Sequence, residues 1–139
     1  GHIAQNTTSA TSNVHIRSDG FMFMIGSASK YKSDIQLLEN EVEYSKRILD
    51  LHPKSWIDKG EQERGDVRGR YYGVIAEDVE VLGLSEYTTK NEDGELESVQ
   101  YDRLWTLLLP VVREQETEIK NLKQELAALK ALLTEKGVI

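Results

Sequence analysis

Ser27 and Lys32 stand five residues apart directly behind a glycine, and those residue types at that spacing can form a minimal protease. A lysine amine can take the proton of a serine hydroxyl and release it as a nucleophile. The amine must be uncharged to do so, which requires desolvation or a second cation close by. Lys30 lies two residues from Lys32, and Tyr31 and Ile35 are placed to shield it. If the cut falls between Gly26 and Ser27, the nucleophile belongs to the residue directly after the scissile bond. Ser27 Oγ would then attack the Gly26 carbonyl in an intramolecular N-to-O acyl shift, leaving an ester for water to hydrolyse. Gly26 has no side chain to block that approach and tolerates strained backbone. Carrying both reactants on one chain supplies the proximity. Taken alone, a serine and a lysine five apart recur by chance in serine-rich loops. The same residues also read as a solvated polar turn.

Positioning such a pair needs elements on either side, and these are legible. Residues 3 to 13 are rich in Ser, Thr and Asn and read as irregular. "NVHIRSDGFMFMIG" reads as a hairpin turning at Ser18-Asp19-Gly20. Two strands alone are marginal in water, so this piece looks like the end of an upstream β-structure. From Ser33 the spacing of Ile35, Leu38, Val42, Ile48, Leu49 and His52 predicts a helix, capped by Ser33 or Asp34 and closed by Pro53. A short strand is expected at 55–57, and a charged, glycine-containing loop at about 58–70. "RYYGVIAEDVEVLGL" predicts a strand over 71–75 passing into a helix that Gly83 ends. "YTTKNEDGELESVQY" predicts a second hairpin turning at Asp93-Gly94.

The last third carries a heptad repeat. Trp105, Val112, Ile119, Leu126 and Leu133 occupy position a, and Leu108, Gln115, Leu122 and Leu129 occupy position d, so Gln115 is the one polar residue in the seam. Glu118 and Glu125 at g face Lys123 and Lys130 at the following e positions, the interhelical charge spacing of a parallel coiled coil. Pro110 places the start of the continuous coil near Val111. The expected interface is Val112, Gln115, Ile119, Leu122, Leu126, Leu129 and Leu133. The alternative is a lone amphipathic helix packed on its own domain. Val and Ile at two a positions lean towards two strands, Leu at two others blurs that rule, and the seam alone leaves the copy number open.

Bulk composition narrows the function classes. At 139 residues the chain is one domain in size. No stretch approaches the roughly 18 apolar residues of a membrane span, and the polar amino terminus shows no leader pattern. Gly1-His2 reads as a tag remnant, with the expectation that the chain is a piece of something longer. There is no cysteine, and His2, His15 and His52 offer no metal-ligand spacing, so no metal is expected. A net charge of −7 argues against nucleic acid as a partner. Arg64, Arg68 and Arg70 are interleaved with Glu61, Glu63 and Asp66 and read as a solvated loop. No cofactor motif is evident, and nucleotide modulation of cleavage is left open.

Four blocks in order carry a resemblance. "GSASKYKSDIQLLEN" follows the pattern S-x-x-x-(L/Y)-K-x-(N/D)-I. "ILDLHPKSW" has a leucine-x-proline-x-x-aromatic run. "YYGVIAEDVEVLGL" holds a tyrosine-glycine-(F/V)-I-A-(E/Q)-(E/D)-(V/L) block, and "VQYDRLWTLLLPVVREQETEIKNL" a Y-x-R-L entry into a coiled coil. From about Val14 to Leu133 the chain resembles the carboxy-terminal intramolecular chaperone domain of bacteriophage tailspikes and tail fibres. That self-cleaving family includes endosialidase, L-shaped tail fibre and neck appendage proteins, and the chain is most like the neck appendage proteins of small tailed phages.

The resemblance implies an α+β fold: an amino-terminal β-hairpin, a small mixed α/β body and a long helix, about 102–135, in a parallel homotrimeric coiled coil. Residues 1–26 would end the upstream tailspike β-structure, and 27–139 would be the chaperone domain. It implies a single-turnover serine–lysine endopeptidase that helps three β-chains register and then releases itself. Ser27 maps onto the nucleophile and Lys32 onto its partner, with the cut before Ser27. Glu77 and Asp78 could orient the lysine or a water, or simply be solvated helix-start carboxylates. His52 could assist as a base, or cap and pack a helix end. Ala28 departs from the Asp or Asn usual after the nucleophile, a change that would either slow cleavage or leave oxyanion stabilisation to backbone donors. The implied partners are the chain's own copies and the upstream spike. The implied location is the host cytoplasm during virion assembly, with the mature spike in the virion tail. The competing function is a non-catalytic trimerisation and host-binding module. Trp56, Tyr71 and Tyr72 are expected as core aromatics.

Overall fold

A computed structural model describes residues 14–16, 20–24 and 26–138. The irregular stretch expected at 3–13, the Gly1-His2 remnant and turn residues Ser18 and Asp19 lie outside them. The chain falls into two compact units, Gly1–Leu37 and Leu38–Ile139. Its class is α+β: three two-stranded antiparallel sheets and a long carboxy-terminal helix.

In the first unit β1 (Val14–Ile16) pairs with β2 (Met22–Met24), Val14 opposite Met24 and Ile16 opposite Met22. Gly20 has φ +84°, the left-handed conformation that a tight connection asks of glycine. A 3₁₀ turn follows at Ser29–Tyr31, closed by Tyr31 N–H to Ala28 O (3.1 Å) and Lys32 N–H to Ser29 O (2.9 Å).

The helix predicted from Ser33 starts eight residues later. Asp34 (φ 51°) and Asn40 (φ 49°) both take the left-handed conformation, which their short polar side chains tolerate and a helix does not. Helix α1 therefore spans Glu41–Lys46 and tightens into a 3₁₀ turn at Arg47–Asp50. Ile35, Leu37 and Leu38 are exposed rather than on a packed face.

Strand β3 (Lys54–Trp56) then leads to a second correction. The charged stretch expected as a loop contains α2 (Lys59–Arg64), because Asp58 caps it by accepting from Glu61 N–H (2.8 Å) and Gly65 (φ 70°) ends it. Glu61 is buried, accepting from Tyr71 Oη (2.5 Å) and Arg68 N–H (3.1 Å). Strand β4 (Tyr71–Gly73) pairs with β3, placing Ser55 opposite Tyr72 and Lys54 opposite Gly73. Of the aromatics expected in the core, Trp56 is half-buried, whereas Tyr71 and Tyr72 lie on the surface, Tyr72 at 79% exposure. Alternation sends the two rings to opposite faces of the ribbon, where the Tyr71 hydroxyl reaches Glu61 and Tyr72 faces solvent.

Helix α3 (Ala76–Val81) ends at Gly83 (φ 73°), and β5 (Thr88–Lys90) pairs with β6 (Leu96–Val99) around Gly94 (φ 80°). Next, α4 (Tyr101–Leu104) runs through a 3₁₀ turn at Trp105–Leu107 into α5 (Leu108–Glu135). Pro110 sits inside the first turn of α5, where its missing N–H has no intrahelical partner to lose. The core gathers where these pieces meet: Val79, Leu84, Val99, Leu104 and Leu107, ringed by Tyr44, Ile48, Leu51, Val74 and Leu82.

How α5 sits on this body decides what it leaves free. Leu104, Leu107, Pro110 and Val111 are buried, and α1 packs along the helix with ion pairs Lys46–Glu114 (2.9 Å) and Glu41–Arg113 (2.7 Å). These fall on heptad positions b, c, f and g. The a and d residues Trp105, Leu108, Val112, Ile119, Leu122, Leu126 and Leu129 stay 43% to 62% exposed. Gln115 is exposed among them, and Leu133 is half-buried.

Candidate active site

The 3₁₀ turn in the first unit folds the chain back on itself, and this brings Lys32 onto Ser27. Lys32 Nζ lies 3.3 Å from Ser27 Oγ and also donates to the Ser27 carbonyl oxygen. That separation is within reach of a proton transfer between hydroxyl and amine. Both residues are exposed in the single chain, as are Tyr31 and Ile35, so the shielding expected of those two is absent from it.

Gly26 lies against the ring of Tyr31. Its backbone is outside the left-handed region, so conformational strain does not require it. A Cβ on residue 26 would stand 2.6 Å from Tyr31 Cδ2 and 2.7 Å from Cε2, so that a side chain there would have to displace the ring. Lys30 Nζ sits 5.0 Å from the centroid of the same ring, a cation–π distance. Sequence reasoning gave Tyr31 only a shielding role. The available signal was its place in the S-x-x-x-(L/Y)-K pattern, five residues after Gly26 as Lys32 is five after Ser27.

The remaining candidates belong to the second unit. Asp78 is held by Lys54 Nζ at 2.5 Å, so its carboxylate is already engaged. Exposed His52 lines a cleft of about 190 Å3 with Asp50, Lys54, Asp78, Val81 and Leu82. Glu77 is exposed at the first turn of α3, where the helix dipole favours a carboxylate. Among the described residues no group of three or more His, Asp or Glu could hold a metal ion.

A wider cleft of about 760 Å3 opens beside α1, and sequence reasoning did not anticipate it. Within it Tyr44 Oη donates to Glu86 (2.7 Å), and Arg47 stacks 5.0 Å over the Tyr44 ring while donating to Gly83 O (2.9 Å). Burial, then the bond to Glu86, raises the Tyr44 phenol above its ordinary value. The same bond holds the Glu86 carboxyl below its own. These groups bind one another and present no free nucleophile.

No protein-family model matches the chain, and no curated protein matches it.

Proposed function

We propose that this chain is an intramolecular chaperone: three copies associate through α5, register the β-structure that precedes Ser27, and then cut themselves free between Gly26 and Ser27. The observation that carries the cleavage is the 3.3 Å approach of Lys32 Nζ to Ser27 Oγ. In the proposed step Lys32 takes the hydroxyl proton as Oγ attacks the Gly26 carbonyl carbon. The C–N bond breaks, the departing Ser27 nitrogen receives that proton, and the Gly26 acyl group rests as an ester on Oγ. Water then hydrolyses the ester, leaving a Gly26 carboxylate and a free Ser27 hydroxyl and amine.

Association is supported by the unoccupied seam. A body that grips the other positions of α5 leaves a row of leucines, valine and isoleucine half-exposed, flanked by complementary e and g charges. In this reading assembly completes the site. A base amine needs desolvation, and neighbouring copies supply the cover that the single chain lacks. Cutting then follows assembly, and the released spike is held by its unfolding barrier. The spike and tailspike context, host cytoplasm included, rests on the sequence resemblance alone.

The exposure of Ser27 and Lys32 favours a second reading, an uncut trimerisation and host-binding module. Mass spectrometry of the expressed chain separates the two. Loss of residues 1–26 from wild type and retention of full length in Ser27→Ala supports autoproteolysis. An intact wild-type chain under assembly conditions supports the module.

A further inference from the structure

We infer that Tyr31 is a positioning residue for the cleavage and the reason the residue before the cut must be glycine, an inference that rests on the autoproteolytic reading above. The last residue of the 3₁₀ turn and the residue that caps it grip two successive residues of the scissile peptide: Tyr31 covers Gly26 and Lys32 reaches Ser27. Both contacts span five residues, so one turn sets both, and moving the ring moves the peptide relative to the amine. The backbone of Gly26 makes no demand for glycine, since it is not left-handed. The demand comes from the ring, which occupies the place of a Cβ.

The ring is otherwise 68% exposed, so packing it into a core is not its purpose. Lys30 over the ring steadies it by a cation–π contact, with the two backbone hydrogen bonds of the turn beneath. Tyr31 thus selects the junction: a side chain before the cut displaces the ring and loosens the grip. A displacement of about 1 Å at a reacting pair costs on the order of a hundredfold in rate.

The experiment is a cleavage time course on the whole chain, read by mass spectrometry, for wild type, Gly26→Ala, Tyr31→Ala, Tyr31→Phe and the Gly26→Ala/Tyr31→Ala double variant. Each is checked for unchanged oligomer mass by sedimentation. Either alanine variant alone should cut about 10- to 100-fold more slowly. The double variant should be no slower than Tyr31→Ala, because the alanine at 26 no longer meets a ring. Tyr31→Phe, which keeps the ring, should restore the rate. Equal slowing by Gly26→Ala with and without the ring, or wild-type cutting by Tyr31→Ala, overturns the inference and leaves the serine–lysine reading standing. A wild type that never cuts overturns both.

Discussion

The Tyr101 hydroxyl occupies the space a side chain on Gly73 would need, and from there it holds both backbone groups of the next residue. It accepts from Val74 N–H at 2.9 Å and donates to Val74 O at 3.0 Å. The first residue of α4 is thereby locked to the end of β4. Gly73→Ala should destabilise the chain by about 1–3 kcal/mol by overpacking against Tyr101 and Trp56. Tyr101→Phe should cost about 1–2 kcal/mol through the lost bonds. Urea unfolding of both variants checks this, and full wild-type stability in Gly73→Ala would refute the lock.

The Tyr44–Glu86 bond predicts stability losses at both ends of the pH scale. Glu86 has its folded value lowered chiefly by Tyr44, so the contribution is complete above the ordinary glutamate range and fades as pH falls through it. Tyr44 has its folded value raised chiefly by burial, so stability falls again as pH climbs past about 10. Glu86→Gln should flatten the acid side of the melting-temperature profile, and Tyr44→Phe the alkaline side. Unchanged profiles would show the bond to be dispensable.

Leu122→Lys should abolish self-association while leaving the body folded, because Leu122 is 62% exposed and lies outside the buried cluster. Sedimentation should give the single-chain mass, with the amide resonances of Val79 and Leu84 unmoved. Gln115→Leu, by contrast, should raise the melting temperature of the assembly and weaken its single register. A monomeric wild type would defeat both expectations.

Ser45 is fully buried in α1, and its hydroxyl has no hydrogen-bond partner among the described residues. Desolvating such a group unpaired costs about 1–3 kcal/mol, so Ser45→Ala should be neutral or stabilising by about 1 kcal/mol. Clear destabilisation on thermal melting would point to a bonded water in that position.

Several of these relationships were legible in the sequence and others were not, for physical reasons. The two hairpins and the end of α3 were readable because Gly20, Gly83 and Gly94 mark backbone that other residues resist. The heptads of α5 were readable because a long repeat averages out local noise. The stretch from Ser33 to Asn40 misled, since its apolar spacing mimics a helix while two left-handed residues interrupt it. Helix α2 was hidden by charge and glycine, although Asp58 and Glu61 hold the spacing of a cap. The approach of Lys32 to Ser27 follows from a single 3₁₀ turn, and the spacing alone left a solvated turn equally open. The Tyr31–Gly26 contact was not legible, because no sequence pattern tells which face of a turn an aromatic ring will choose.

Among the described residues the ion pairs between α1 and α5 end at Glu114, and the 28-residue helix runs on to Glu135. The overhang is about 30 Å at 1.5 Å per residue, several Debye lengths in physiological salt. In the proposed assembly, copies carrying a charge of −7 each would repel on approach, yet the ends of their helices could meet at a distance where that repulsion is screened. Pairing that starts at the far end and runs inward would then deliver the proposed partners to one another last, already aligned.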